Sequence, residues 1–120
     1  MTPCELLICA EDAMVNSYSP YSGFSVGAAL ITADGRVYKG CNIENSAFSP
    51  TICAERTAFF KAISEGENDF EAIAIVGKYK NGEYKHLCYP CGVCRQVMEE
   101  FCGGDFKIIL GDGKGEYEVH

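Results

Sequence analysis

The sequence predicts an α/β fold of three layers, with helices on both faces of a five-stranded mixed sheet. Its elements are expected in the order α-β-β-α-β-α-β-β along 120 residues. Strands that are joined through a helix run parallel and leave helices on the faces of the sheet. The Asp34-Gly35 pair, between two apolar runs, predicts an antiparallel hairpin between the first two strands. The length suits one domain, and we expect residues 1–120 to form it.

Each helix is predicted from a start signal that precedes apolar residues at helical spacing. Thr2-Pro3-Cys4-Glu5 has the pattern of a capping box and opens a helix over residues 3–17. Ser49 is a favourable N-cap and Pro50 suits the first helical position, so a second helix is expected from Ser49 to Glu65, before Gly66. The third helix is expected from Pro90 to about Cys102, because Cys94, Val97, Met98 and Phe101 recur at helical spacing.

Five apolar runs bounded by turn signals are predicted to be strands. Gly27 and its alanine neighbours in the first run allow another element to approach closely. In the second run, Arg36 and Tyr38, or else their neighbours, are expected to point outward, in alternation with apolar positions. The polar segment 78–88 contains Asn81-Gly82, which predicts a small hairpin flap. The predicted strands are Phe24–Thr32, Arg36–Ile43, Phe70–Gly77, Phe106–Leu110 and Glu116–Val119.

Composition narrows the kinds of partner that this chain can bind. The formal net charge of −7 argues against a nucleic-acid surface, which needs clustered Lys and Arg. It also argues against anionic membranes, and no apolar run approaches the length of a spanning helix. The eight Cys lie within predicted helices and strands, and no export signal precedes them. We therefore expect a cytoplasmic protein that uses its thiols for metal chemistry and acts on a small neutral or cationic substrate.

Three cysteines are spaced as ligands of one metal ion. Cys53 falls near the start of the second helix, where the helix dipole favours a thiolate. Cys91 and Cys94 are three residues apart, so their sulfur atoms share one face of a helical turn. Three soft ligands suit zinc and leave a fourth tetrahedral position open, as in catalytic rather than structural zinc sites.

Glu55 follows Cys53 by two residues and can reach the metal site without being a ligand. A metal-bound water has a lowered pKa, and a carboxylate beside it can move the proton. This layout predicts hydrolytic deamination of an aromatic, amidine-like carbon, as in zinc deaminases generally. Three thiolates on Zn²⁺ leave a net charge of −1, and Arg56 is expected to offset part of it by donating to a thiolate sulfur.

Four motifs in this order closely resemble the small, homotetrameric type of cytidine deaminase that binds zinc with three cysteines. The resemblance covers about residues 5–119. The motifs are Tyr21-Ser22-Gly23-Phe24-Ser25-Val26-Gly27-Ala28-Ala29-Leu30, Gly40-Cys41-Asn42-Ile43-Glu44-Asn45, Cys53-Ala54-Glu55-Arg56 and Pro90-Cys91-Gly92-Val93-Cys94-Arg95-Gln96.

The resemblance implies a function and a role for each matching residue. It implies that cytidine and 2′-deoxycytidine are converted to uridine and 2′-deoxyuridine in pyrimidine salvage by a homotetramer. Zinc would be bound by Cys53, Cys91 and Cys94, with Glu55 as the proton shuttle. Phe24 would stack on the pyrimidine, Asn42 and Glu44 would bind the ribose hydroxyls, and the backbone around Ala54 and Tyr89 would contact the base edge.

The chain departs from the family pattern at three places. Phe48 stands where the family often has Tyr, which removes one hydroxyl. The loop 78–88 is longer and more polar than the family leads us to expect. The sequence ends at His120, whereas family members usually continue into a helix with an aromatic residue that helps to close a neighbour's site.

Other interpretations remain open at this point. Cys91 and Cys94 alone would also fit a redox pair or half of a structural zinc site. Cys88 could complete a closed four-thiolate zinc site, which would make the protein a scaffold without turnover. Phe24 could be an ordinary core residue, and Asn42 and Glu44 could simply form a turn. A deaminase of another cytosine compound, such as a nucleoside antibiotic, is also possible.

Overall fold

The computed structural model describes residues 1–47, 50–85, 88–113 and 115–120. It contains the predicted elements in the predicted order, with a short 3-10 turn after the first helix. Among the helices of the described ranges, none combines the length and apolar composition needed to cross a membrane. The helices are α1 (Pro3–Ala13), α2 (Ala54–Ser64) and α3 (Gly92–Phe101), and the strands are β1 (Phe24–Thr32), β2 (Val37–Cys41), β3 (Phe70–Tyr79), β4 (Lys107–Gly111) and β5 (Tyr117–Val119).

The five strands form one mixed sheet in the order β2-β1-β3-β4-β5. Strand β1 is antiparallel to both of its neighbours, and Leu30 lies between Tyr38 of β2 and Ile73 of β3. Strands β3 and β4 are parallel, whereas β4 and β5 are antiparallel. Because β2 and β3 therefore point the same way, the segments that follow them leave the sheet at one edge. These segments lead to α2 and α3.

Helices cover both faces of the sheet, which confirms the predicted three layers. Alternate residues of each central strand face opposite sides. On one face, Ala29 and Ala74 pack with Leu6 and Ala10 of α1. The other face carries α2 and α3, with a larger core that contains Leu30, Tyr38, Ala58, Phe59, Ile73, Ile75, Met98 and Leu110.

Two glycines allow these helices to lie directly on the strands. A Cβ on Gly27 of β1 would lie 1.9 Å from the Ala10 carbonyl oxygen of α1. A Cβ on Gly40 of β2 would lie 2.4 Å from the Ala54 carbonyl oxygen and 2.5 Å from the Ala58 nitrogen. The close approach expected from the small residues of β1 is thus confirmed. Gly40 likewise allows the first turn of α2 to approach β2 closely. That turn carries part of the candidate site.

The start of α2 was predicted too early. Ile52 exchanges backbone hydrogen bonds of 2.9 and 3.0 Å with Ile43, so the chain is still extended there. Cys53 is the N-cap, and Pro50 lies in a turn before the helix. The predicted cap, Ser49, lies outside the described residues, as does Phe48.

Other boundaries are confirmed or corrected in the same way. The capping box of α1 is confirmed, since Thr2 and Glu5 exchange side-chain-to-backbone hydrogen bonds of 2.9 and 3.2 Å. Helix α3 begins at Gly92 with Cys91 as its N-cap, so Pro90 precedes the helix instead of opening it. Tyr38 is buried and its hydroxyl donates to Glu67 at 2.9 Å, whereas its neighbour Lys39 is exposed, as in the second of the two predicted alternations.

The predicted hairpin flap is present after β3. The chain turns back at Asn81-Gly82, and Tyr84 bridges to Lys78. The Tyr84 hydroxyl donates to Glu11 of α1 at 2.6 Å, and its ring lies against Gly113, where a Cβ would be 2.0 Å from a ring carbon. The flap is therefore anchored to the scaffold on the α1 side of the sheet. His86 and Leu87, in the predicted loop, lie outside the described residues.

Gly40→Ala should destabilise the protein, because its Cβ would overlap the backbone of α2, which cannot rotate away as a side chain can. Overpacking of this kind costs roughly 1–3 kcal/mol. Urea unfolding followed by circular dichroism measures the loss. Gly104→Ala is the matched control, since no atom of the described residues lies within 4 Å of the Cβ position there. Equal stability of the two variants would contradict the close packing of α2 on β2.

Candidate metal centre and active site

The N-termini of α2 and α3 bring three thiols together at one edge of the sheet. Cys53 caps α2, Cys91 caps α3, and Cys94 lies in the first turn of α3. The Cys91 sulfur lies 3.5 Å from that of Cys53 and 3.2 Å from that of Cys94. All three sulfur atoms lie within 4.8 Å of one another. The structure therefore joins the three predicted ligands, which come from segments almost forty residues apart.

The donor set and its spacing fit a zinc ion. Four ligands at about 2.3 Å in a tetrahedron would place sulfur atoms about 3.8 Å apart, close to the separations seen here. Within the described ranges, no fourth His, Cys, Asp or Glu joins the group. Cys88 is buried away from it, with its sulfur beside Gly77 of β3. The group is thus three thiols with one tetrahedral position left over, and the closed four-thiolate alternative lacks its fourth ligand.

Arg56 faces the same thiols from the first turn of α2. Its guanidinium donates to the Cys53 sulfur at 3.5 Å. Its Nε is buried without a hydrogen-bond partner, the one such side-chain nitrogen or oxygen among the residues that the structure describes. A guanidinium beside the thiols suits a site that becomes more negative when metal binds, because thiolates accept strongly from a cation.

In the zinc-free protein, the surroundings shift the pKa values of two of the thiols in opposite directions. Hydrogen bonding with Cys94, against the opposing effect of burial and with help from Arg56, lowers the pKa of Cys53 to about 5. The same contact with Cys53, together with burial, raises the pKa of Cys94. The helix N-termini act in the direction that favours thiolates. The surroundings therefore favour the thiolate form of Cys53.

Glu55 points from the first turn of α2 into the cavity beside the thiols. The side chain is only 4% exposed. Burial, and then the nearby Cys53 thiolate, raise the pKa of Glu55 to about 7 in the zinc-free protein, although a backbone hydrogen bond opposes the shift. A carboxyl with such a pKa exchanges protons readily near neutral pH. It does not belong to the three-thiol group, as predicted for a proton-transfer residue and not a ligand.

The predicted binding residues line the same cavity as Glu55 and two of the thiols. The cavity measures about 250 Å³. Phe24 opens β1 at one wall, while Asn42 and Glu44 follow β2 at another. Ala54, fully buried, forms the wall next to the metal group. Its complete lining is Ser22, Phe24, Val26, Asn42, Glu44, Thr51, Ile52, Cys53, Ala54, Glu55, Tyr89 and Cys91.

Phe24 forms an aromatic wall of the cavity and also packs against the main core. It is only partly buried, and its ring lies 4.8 Å from the ring of Tyr79 at an angle of 42°. The Lys85 ammonium lies 5.8 Å from the ring centroid. Gly77 leaves room for the ring, because a Cβ there would lie 2.5 Å from its tip. The flap contacts this ring through Lys85, and β3 contacts it through Tyr79 and Gly77. These contacts fix the position of the ring.

Asn42 uses most of its side-chain hydrogen-bonding groups in the folded chain, chiefly with the backbone of β1. Its Oδ1 accepts from the Val26 nitrogen at 2.9 Å and from the Ser17 hydroxyl at 2.5 Å. Its Nδ2 donates to the Phe24 carbonyl at 2.8 Å. An amide NH₂ has two hydrogens, so one remains for a ligand. The side chain is therefore a rigid donor, and not the donor and acceptor expected from its residue type alone.

Glu44 is held by the loop that precedes β1. Its Oε1 accepts from the backbone nitrogens of Tyr21 and Ser22 at 3.0 and 3.1 Å. Its Oε2 accepts from the Ser22 hydroxyl. These bonds, led by the one from Ser22, lower the pKa of Glu44. Glu44 is thus a negatively charged hydrogen-bond acceptor whose carboxylate is held in one orientation.

Sequence reasoning missed several residues that build this cavity. Ile52 forms part of its wall because it pairs with Ile43, and Ser17 and Ser22 orient Asn42 and Glu44. Ser22 lies two residues before Phe24 in the first of the four motifs. The sequence therefore placed Ser22 near the site but did not indicate its role. Ser17 gave no comparable signal, because its contact depends on the 3-10 turn after α1 reaching the end of β2.

Comparison with known proteins identifies the family. Residues 2–110 match the family model described as the cytidine and deoxycytidylate deaminase zinc-binding region. A cytidine deaminase from Sporosarcina psychrophila is 49% identical over 114 residues, which are 95% of this chain and 80% of that protein. A cytidine deaminase from Halalkalibacterium halodurans is 50% identical over 109 residues, which are 91% of this chain and 79% of that protein.

Solved structures give the same result for the fold. The crystal structure of cytidine deaminase from Burkholderia pseudomallei has a TM-score of 0.88 and 42% identity, and covers 100% of this chain and 92% of its own. The chain is therefore an α/β protein of the zinc-binding deaminase class. It belongs to the cytidine and deoxycytidylate deaminase family.

Replacing a ligand thiol with a hydroxyl should abolish stable zinc binding, because Ser is a far poorer zinc ligand than a thiolate. Cys53→Ser, Cys91→Ser and Cys94→Ser should each be purified with little zinc, whereas Cys88→Ser should keep as much zinc as the unaltered protein. Atomic absorption of the dialysed proteins measures the content. Zinc loss in Cys88→Ser that matches the other three variants would contradict the three-thiol group.

Proposed function

We propose that this chain is a zinc-dependent hydrolase that deaminates cytidine and 2′-deoxycytidine to uridine and 2′-deoxyuridine, with release of ammonia, in pyrimidine salvage. One observation carries the proposal: a buried carboxyl, Glu55, lies beside a three-thiol metal group without belonging to it, in a cavity with an aromatic wall. The names of the relatives at about 50% identity support the substrate.

The proposed roles follow from what each side chain offers to a nucleoside. Phe24 presents a ring face to the base, and aromatic faces stack on bases. Asn42 offers one N–H and Glu44 one fixed acceptor to a sugar hydroxyl, which both donates and accepts. The backbone at Ala54, next to Cys53, would contact the edge of the base. The reacting carbon would then lie between the thiol group and Glu55.

The chemistry requires water to replace the exocyclic amine. Zinc bound by Cys53, Cys91 and Cys94 supplies a Lewis acid that lowers the pKa of water from about 15.7 toward about 7. Glu55 accepts the proton of the attacking water and donates it to the neighbouring ring nitrogen. The water oxygen is then bonded to the carbon as a hydroxyl, and Glu55 carries the remaining proton of that hydroxyl to the amine, so that the carbon–nitrogen bond breaks, the carbonyl of the product forms and ammonia leaves. In the zinc-free protein, burial raises the pKa of Glu55, which favours the neutral form that can donate a proton.

A free nucleoside is a better substrate for this site than a polynucleotide. The net charge of −7 opposes a phosphate backbone, which proteins bind with clustered cations. The cavity of about 250 Å³ is small, and Glu44 places a negative charge at its sugar end. We propose no nucleic-acid partner and no membrane partner.

Assembly and location form a further part of the proposal. We propose a homotetramer, which is consistent with apolar side chains that lie open to solvent in the single chain, such as Phe60 at 45% exposure. We propose a cytoplasmic location, because the metal group needs reduced thiols and reducing compartments maintain them. Analytical ultracentrifugation tests the assembly, and a stable monomer at micromolar concentration would contradict it.

The zinc-loaded protein should convert cytidine to uridine with equimolar ammonia, and Glu55→Gln should lose at least about 10²-fold in kcat, the lower range for a general acid–base group. Loss of cytidine absorbance and an ammonia assay measure the reaction. Zinc content should be unchanged, because Glu55 is not a ligand. Glu65→Gln, at the exposed end of the same helix, is the matched control and should keep normal activity.

The same assay separates the rival functions. Blasticidin S in place of cytidine tests the antibiotic alternative, and turnover of it alone would replace the proposed substrate. Zinc-loaded protein that turns over none of these compounds would support a scaffold. Normal activity of Glu55→Gln would remove the proposed proton shuttle even if cytidine is a substrate.

Arg56→Gln should weaken zinc binding about tenfold or more, because groups that contact metal ligands are typically worth 10–100-fold in affinity or activity. The variant removes the cation that offsets the thiolates but keeps an uncharged, polar side chain that can donate hydrogen bonds. Competition with a chromophoric chelator measures the affinity. Arg95→Gln is the control, since Arg95 donates to the Pro90 carbonyl instead of to a thiol. Unchanged affinity and unchanged turnover in Arg56→Gln would exclude this role.

A further inference from the structure

Ser22 joins two parts of the site that the proposed function uses separately. Its hydroxyl oxygen accepts from the backbone nitrogen of Phe24 at 3.1 Å and its proton is donated to Glu44. One hydroxyl thus bonds both to the residue that would stack on the base and to the residue that would bind the sugar. A hydroxyl has one donor, so this proton is committed to Glu44.

The bonds around Phe24 and Glu44 form a continuous chain. The Phe24 carbonyl accepts from Asn42, so both backbone polar groups of Phe24 are bonded to side chains at the sugar end of the cavity. Tyr21 and Ser22 also donate their backbone N–H groups to the carboxylate. The relative positions of ring and carboxylate are therefore fixed by hydrogen bonds and not by packing alone.

Ser22 is exposed and contributes nothing to the core. The loss of its hydroxyl would therefore leave the fold intact and free one Glu44 oxygen to rotate or to bind water. Glu44 would keep its two backbone donors, both on its other oxygen. The orientation of Glu44 Oε2 thus depends on the Ser22 side chain, whereas Oε1 is held by backbone donors.

We propose that Ser22 is a positioning residue for substrate binding, which orients the Glu44 carboxylate toward the sugar relative to the ring of Phe24. The inference rests on the proposed function, because it assumes that the cavity binds a nucleoside. It assigns Ser22 an effect on substrate affinity, acting through Glu44 and not through direct contact with the reacting atoms.

Steady-state kinetics of the zinc-loaded, full-length protein test the proposal. Ser22→Ala should raise KM for cytidine roughly tenfold, the order expected for a hydrogen bond to a charged group, and should change kcat less than about threefold. Ser22→Thr keeps the hydroxyl and should restore most of the affinity. Ser64→Ala removes an exposed hydroxyl that donates to the Lys61 carbonyl within the same helix, and should behave like the unaltered protein.

A substrate without ring hydroxyls distinguishes orientation of Glu44 from a general effect. With 2′,3′-dideoxycytidine, Ser22→Ala and the unaltered protein should differ by less than about twofold, because Glu44 has no ring hydroxyl to bind. Ser22→Ala should also add little to Glu44→Gln with cytidine, since residues that act as one unit are not additive. An equal KM increase for both substrates, or full additivity with Glu44→Gln, would overturn the proposal.

Failure of the proposed function has a different signature. In that case the unaltered protein itself would not turn over cytidine or 2′-deoxycytidine, and the role of Ser22 would fall with it. An active protein in which Ser22→Ala keeps a normal KM would overturn the role of Ser22 alone. Unchanged zinc content and unfolding midpoint in Ser22→Ala would attribute a raised KM to the site and not to loss of folded protein.

Discussion

The site depends on two helices that begin at the same edge of the sheet, each with a cysteine at its N-cap. Strands β2 and β3 point the same way, so both following segments leave the sheet together. Gly40 then lets the first turn of α2 lie on β2, which brings Cys53, Glu55 and Arg56 to the edge as one group. Cys91 and Cys94 meet them from α3. A metal bound there would join the two helices, so binding and docking of the helices would be coupled.

The residues that form the site lower the stability of the folded protein. Cys53 accepts no capping hydrogen bond for α2, and a Ser, Thr, Asp or Asn there would cap the helix better. Glu55 is buried where water cannot solvate its charge, which is why its pKa is raised. Arg56 holds a buried donor with no partner among the residues that the structure describes. These three departures from favourable folding chemistry fall within the first turn of one helix, as expected where function and not stability selects the residues.

Much of the fold and of the candidate site could be predicted from the sequence. Apolar runs, the Asp34-Gly35 turn and the capping box gave the element order, because these signals are local. The three thiols and Glu55 were predicted from spacing and are brought together in the structure. The start of α2 was wrong because Ile52 pairs with Ile43, a contact between segments that no local signal reports. Ser17 and Ser22 were missed for the same reason, since their partners lie at least 22 residues away in the chain.

The anchoring of the flap has a consequence for how such chains can vary. Tyr84 attaches the flap to Glu11 and Gly113, on the opposite side of the sheet from α3. The turn at Asn81-Gly82 therefore lies between two fixed points, the end of β3 and this anchor. Residues gained or lost at that turn would alter an exposed tip and leave both fixed points in place. Insertions at the Asn81-Gly82 turn can thus accumulate during divergence at little cost to the scaffold.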